Sequence, residues 1–383
     1  MSLNPPKENR LEYLDSVRGL ASVSVVIGHF VLAYNLDLQF KFINYSPFHF
    51  FYDGSAAVTL FFVLSGYVLT LSLEKNKKPI FGAFYLKRVF RIMPAYLVIL
   101  VLSLIAYLFF VVKPTIPANS SWISKFWSKP LDMYHFAMQL IFLKPGNNAD
   151  LVPQNWSLLI EMLFSFLMPF LYLILKKTNY LYLLAFNLVA YFFLKIPVFI
   201  VHFSLGVFLA LNQQKILDFF QPIKSKYKLL VILVIGLLYT YRYTLPVYYY
   251  YYFRKQSIVL DNNDLLWLIT GLGAFFILVY CLSSYKLQRI LNLRPFVFIG
   301  KISYSIYLSH VLVLIFVIPV FISSLNSMAI ENKYCIWLLS LGILLLLTFM
   351  ISYLLTTFVE IPMVKMANTF LKKQRSNPVF SLK

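Results

Sequence analysis

A chain of 383 residues that is 60% hydrophobic and only 13% charged, with a mean hydropathy of +0.75, carries more apolar surface than a soluble core of that length can bury. These values exclude a soluble enzyme and indicate a polytopic membrane protein, in which no polar segment is long enough for a separate catalytic domain. The formal charge of +20 would suit a nucleic acid if it were gathered on one surface, but it is dispersed over loops between apolar runs, which excludes that partner too.

Ten spans are predicted, at 14–34, 54–73, 93–112, 156–175, 179–194, 197–212, 229–245, 265–283, 302–324 and 335–359, with the sixth, seventh and eighth short. With the N-terminus inside, the inner loops sum to about +18 and the outer to about +2, the positive-inside asymmetry that puts both termini in the cytoplasm. Making 133–143 an eleventh span would move Lys176 and Lys177 outside, and it offers about eleven residues where about twenty are needed. It is therefore read as a re-entrant or interfacial helix. The expected fold is all-α, a polytopic transmembrane helical bundle forming one domain over 1–383, with a basic cytoplasmic tail after Pro362. Asp15 and Arg18 interrupt the start of the first apolar run and no cleavage site follows it, so the first helix is expected to be a retained signal anchor.

In that helix, RLEYLDSVRGLASVSVVIGH, residues Asp15, Arg18, Ser22 and His29 fall within an arc of about 60°, and His29 lies about 20 Å beyond Asp15. A polar group in hydrocarbon costs a few kcal/mol or more, which makes each a functional candidate. Asp15 and Arg18 read equally well as an interfacial ion pair. For His29 the alternative is a hydrogen bond to a neighbouring helix.

The second span ends in FFVLSGYVL, where Ser65 and Gly66 allow close helix packing; a narrow passage for a thin acyl chain would require the same small side chains. The inner loop carries Lys75, Lys77 and Lys78, then Arg88 and Arg91, three apart on one helix face before Pro94. The lysines are explained by anchoring, whereas the arginines form a fork for lipid headgroups or for a cytosolic phosphate-bearing donor. A long outer loop from Lys113, containing Trp122 and Trp127, leads into NWSLLIEMLFSFLMP, with Ser157 and Glu161 on one face. Glu161 reads as a buried structural acceptor, as an orienter of a histidine, or as a contact for an incoming hydroxyl. Tyr248 to Tyr252, with Arg254 and Lys255, suit an aromatic belt or a sugar-stacking platform. In IGKISYSIYLSH, Ser303, Tyr307 and His310 share one stripe, with His310 in the inner half of the bilayer and His29 in the outer, which predicts a polar path rather than one cluster. Cys281 and Cys335 are expected at opposite faces, so they are not read as a disulfide, and no metal-ligand spacing is evident.

Taken in order, RLEYLDSVRGLASVSVVIGH, FFVLSGY, KRVFRIMP, WSLLIEMLF, GKISYSIYLSH and VEIPM resemble the acyltransferase 3 family of integral membrane proteins, from Arg10 to Pro362. Each motif alone is weak; six in the right order are specific. The resemblance implies a stand-alone member without a permanently bound cofactor. Such a member moves an acyl group, most often acetyl, from cytosolic acyl-CoA to a hydroxyl at the far face, commonly on a cell-surface polysaccharide. By resemblance, His29 corresponds to an essential first-helix histidine and Arg88 and Arg91 to paired arginines that engage the CoA donor. Arg18, Glu161, Tyr307 and His310 fall at characteristic family positions.

The expected partners are therefore acetyl-CoA or another acyl-CoA inside, a carbohydrate or lipid-linked glycan outside, and the lipids of a bacterial cytoplasmic membrane. Catalytic roles are expected for His29 and Glu161, and donor contacts for Arg88, Arg91, Arg18, Ser65, Tyr307 and His310. A neutral His29 can act as general base on the hydroxyl, or accept the acyl group and pass it on. Two other classes compete: a polysaccharide polymerase or exporter, disfavoured because the paired arginines face inward, and a proton-coupled transporter, disfavoured because no internal repeat is evident.

Overall fold

The structure, a computed structural model, describes residues 11–34, 47–75, 81–109, 122–123, 126–127, 130–143, 150–177, 182, 187, 189, 198–220, 225–244 and 263–376. Lys77, Lys78, the Tyr248 to Tyr252 run, Arg254 and Lys255 lie outside them, as does most of the predicted span 179–194. Among the described residues there is no strand.

The helices, in order, are α1 (Glu12–Ala33), α2 (Gly54–Glu74), α3 (Phe81–Phe109), α4 (Met133–Leu140), α5 (Asn155–Lys177), α6 (Phe199–Leu211), α7 (Gln213–Phe220), α8 (Ser225–Tyr239), α9 (Asn263–Ser283), α10 (Tyr285–Leu291), α11 (Arg294–Lys301), α12 (Ser303–Ser327), α13 (Lys333–Leu355) and α14 (Ile361–Ser376). A π-helical turn, Thr356–Glu360, joins the last two. Seven segments are long and apolar enough to cross a membrane: α1, α2, α3, α5, α9, α12 and the continuous run beginning with α13. Ten were expected. The sixth and seventh expected spans are α6 and α8, of 13 and 15 residues, short of the about twenty that a full crossing needs. The eighth, expected to be short, is the 21-residue α9. Segment 133–143 contains the eight-residue α4.

Helix starts follow from their caps. The Asp53 carboxylate accepts from the Ala56 N–H at 2.9 Å and begins α2. Asp132 does the same for α4 at the His135 N–H, and Asn332 for α13 at Tyr334 and Cys335.

Two glycine contacts set the positions that matter. On α2 and α6, a Cβ at Gly66 would collide with the Phe203 carbonyl and one at Gly206 with that of Val63, so these backbones touch directly. On α1 and α11, a Cβ at Gly19 would lie 2.6 Å from the Gly300 nitrogen. Because α11 docks on Gly19, α12 starts beside the middle of α1 and runs parallel to it. The register continues to the Tyr34 hydroxyl, which donates to the Leu314 carbonyl at 2.9 Å.

Candidate active site

The α1–α12 register brings the two membrane histidines together. His29 Nδ1 is 2.9 Å from His310 Nε2, with the ring planes 23° apart and the centroids 5.1 Å apart, so the imidazoles meet edge to edge. This corrects the expectation that they lie at different depths. Reading Lys301 as the inner surface put His310 too shallow, whereas the Gly19–Gly300 contact carries the start of α12 into the bundle. The other nitrogen of His310, Nδ1, is 3.2 Å from the Ile306 carbonyl, which can only accept. Nδ1 of His310 therefore holds the proton, its Nε2 accepts, and His29 donates from Nδ1. The network thus assigns His29 a bare Nε2 lone pair.

His29 forms part of the wall of a cavity of about 450 Å³ between the C-terminal half of α1, the start of α2, and the connections at that end of the bundle. Trp122 covers the imidazole, with ring centroids 4.8 Å apart. Trp156, Trp267, His49, Tyr243 and Gln154 also line the space. Gln154 belongs to a segment, residues 150–155, that is buried throughout. Its amide nitrogen donates to the Leu308 carbonyl at 2.8 Å and to that of Tyr307 at 3.3 Å. The chain before α5 is thereby tied to α12 rather than to solvent. Deeper in, Gln139 of α4 accepts from the Leu151 N–H at 2.7 Å, and the Tyr96 hydroxyl donates to the Gln139 carbonyl at 2.6 Å.

Because α5 begins inside the bundle, its polar face points away from His29. Ser157 meets the Tyr307 hydroxyl at 2.5 Å. One turn on, Glu161 stands 3.6 Å from Arg88. The partner of His29 Nδ1 is thus His310, and Glu161 belongs to a second cluster. There Arg88 is 9% exposed with its Nε unpartnered, and Arg18 and Arg91 lie within electrostatic reach of it. Arg18 also pairs with Asp15 at 3.3 Å. Glu360, on the π turn, accepts from Ser305 and from Thr356 and lies within reach of Arg91.

The structure therefore gathers Arg18, Arg88, Arg91 and Glu161 at one end, and His29 and His310 at the other, with Tyr307 and Ser157 between. Ser65 is buried on α2 and does not line the cavity. Sequence reasoning does not single out Gln154, His49 or Asp53 as site residues, and it places Glu360 only within the VEIPM motif. The first three sit in loops or at a helix start, where a polar residue ordinarily faces water. The only hint in the sequence was the length of the outer loop before α5. Among the described residues, no group of three or more His, Cys, Asp or Glu is placed to hold a metal ion.

A curated relative, acyltransferase MdmB of Streptomyces mycarofaciens, is 28% identical over 173 residues, which are 45% of this chain and 42% of that protein. No solved structure matches. The family model of acyltransferase 3, described as an acyltransferase domain, matches residues 11–357. The chain belongs to the acyltransferase 3 family of membrane acyltransferases.

Proposed function

We propose that this protein transfers an acyl group, acetyl in the first instance, from cytosolic acyl-CoA to a carbohydrate hydroxyl on the far side of a bacterial cytoplasmic membrane. The observation that carries this reading is that one helix serves both ends. Arg18 of α1 stands with Arg88 and Arg91, and His29, about 16 Å further along α1, stands in the cavity wall. The arginine end suits the phosphates of the donor, and the slender pantetheine arm reaches from there past Tyr307 towards His29.

Chemically, His29 Nε2 takes the proton of the acceptor hydroxyl as its oxygen attacks the thioester carbonyl. The C–O bond forms, the C–S bond breaks, and the CoA thiolate leaves and recovers the proton. As His29 becomes charged, its Nδ1–H continues to donate to His310 Nε2, which fixes the ring and spreads the charge. We favour this general-base course over an acyl-histidine because it passes the acyl group to the hydroxyl in one displacement, whereas the same Nε2 lone pair acting as nucleophile needs a second.

The test is transfer of labelled acetyl from acetyl-CoA to cell-envelope carbohydrate in membranes holding the wild type, His29→Ala, or Arg88→Ala with Arg91→Ala at matched expression. Loss in the first variant and a raised acetyl-CoA requirement in the second are expected. Failure of the wild type to bind any acyl-CoA would overturn the reading.

A further inference from the structure

Three of the five tryptophans in the chain, Trp122, Trp156 and Trp267, line the same cavity as His29. Flat aromatic faces with polar groups at the ends are what a sugar ring requires, since its C–H faces stack and its rim hydroxyls seek hydrogen bonds. Both kinds of polar group are present. Gln154 is 3% exposed and uses its amide nitrogen on two backbone carbonyls, while its Oε1 has no hydrogen-bond partner although the residue lines the cavity. A buried acceptor left unmade costs roughly 1–3 kcal/mol, a cost that a ligand hydroxyl would remove. Away from His29, the His49 ring is held between Tyr243, at 3.8 Å between centroids, and Tyr52, at 4.5 Å, with its Nε2 3.8 Å from the Asp53 carboxylate.

We infer that this cavity is the acceptor site and that it takes a single pyranose residue, stacked on the tryptophans, with hydroxyls bound by Gln154 Oε1 and by the His49 edge while another faces His29. Asp53 is a positioning residue that acts through His49. The volume fits a terminal or short saccharide, which makes the substrate a glycan end or a lipid-linked sugar rather than the interior of a polymer. This inference rests on the transfer reading for the roles of the two partners, but it makes its own claim about binding.

It is tested by tryptophan fluorescence of the full chain in lipid nanodiscs, where no sugar-headed detergent competes. The probes are methyl glycosides of the common hexoses and N-acetylhexosamines, with decanol as an apolar comparison. At least one glycoside is expected to give a saturable change, weakened about tenfold in Gln154→Ala and in His49→Phe, the loss of one good hydrogen bond. Because Gln154→Ala also removes two structural hydrogen bonds, His49→Phe, which keeps a ring between Tyr243 and Tyr52 but has no polar edge, serves as the independent variant. In transfer assays the same two variants should raise KM for the acceptor and leave KM for acetyl-CoA unchanged. Saturation by decanol alone overturns the inference. So does a wild type that transfers acetyl to carbohydrate while both variants keep its acceptor KM. If glycosides bind as described and no acyl-CoA is consumed, the site stands and the transfer reading falls.

Discussion

His310 holds its proton on the side of the Ile306 carbonyl and so turns its lone pair towards His29. Removing it frees the tautomer of His29 without touching either substrate. His310→Ala is therefore expected to lower kcat by one to two orders of magnitude with little change in either KM, and His310→Gln, whose amide oxygen can accept from His29 Nδ1, to recover part of the loss. His29→Ala should lose about 10²- to 10⁴-fold, the range for a general base. A kcat effect in His310→Ala matched by an equal rise in acceptor KM would show that His310 binds substrate instead. Each histidine was legible in the sequence because an imidazole inside an apolar run is expensive. Their meeting was not, because it depends on a backbone contact at Gly19 and Gly300 that has no polar signature.

Asp53 gives a prediction of different sign. Burial pushes its carboxyl from 3.8 up to about 7, against the Ala56 and Ser55 N–H groups and the Arg242 charge, which pull it down. His49, Tyr52 and Tyr239 also face it. The folded state then holds a proton that the unfolded chain has already released between about pH 4 and 7. Stability contributed by this group is present below pH 4, falls as pH rises through that window, and levels off above 7, by a few kcal/mol in total. Asp53→Asn keeps a good N-cap for α2 and abolishes the window. The difference in thermal midpoint between wild type and variant, followed from pH 4.5 to 8, should grow with pH to about 7 and then stay flat. A difference independent of pH would sink the assignment.

At the level of helices, the small residues of FFVLSGY had two readings, and the structure separates them. Gly66 lies against the Phe203 carbonyl and Gly206 against that of Val63, so packing accounts for Gly66. Gly66→Ala and Gly206→Ala are each expected to cost about 1–3 kcal/mol through overpacking, read as a lower thermal midpoint and loss of monodisperse protein, with acetyl-CoA affinity unchanged in whatever remains folded. A variant that folds normally but loses only transfer would restore the acyl-passage reading. The long helices were legible from hydropathy, and the Arg88–Arg91 face from its spacing. What could not be read was that α5 starts within the bundle. Residues 150–155 hold only Leu151, Val152 and Pro153 between polar residues, too short an apolar run to read as membrane-embedded, yet the Gln154 and Gln139 hydrogen bonds hold that segment inside. That displacement carries Glu161 to Arg88 and leaves the tautomer of His29 to His310.

For the whole molecule, the proposed division of labour requires the arginine cluster and the cavity to face opposite compartments, and the loop charge predicts which is which. Cysteine labelling offers a direct check. Cys281 is buried in α9 and Cys335 is exposed at the start of α13, the end opposite Glu360. If the basic loops face the cytoplasm, an impermeant maleimide applied to intact cells with the outer layers opened should modify Cys335 and not Cys281. Ser376→Cys, at the far end of α14, should react only after the membrane is permeabilised. Labelling of residue 376 from outside, with Cys335 protected, would invert the protein in the membrane. The arginines would then face a compartment without acyl-CoA, and cytosolic donation would be untenable whatever the chemistry at His29.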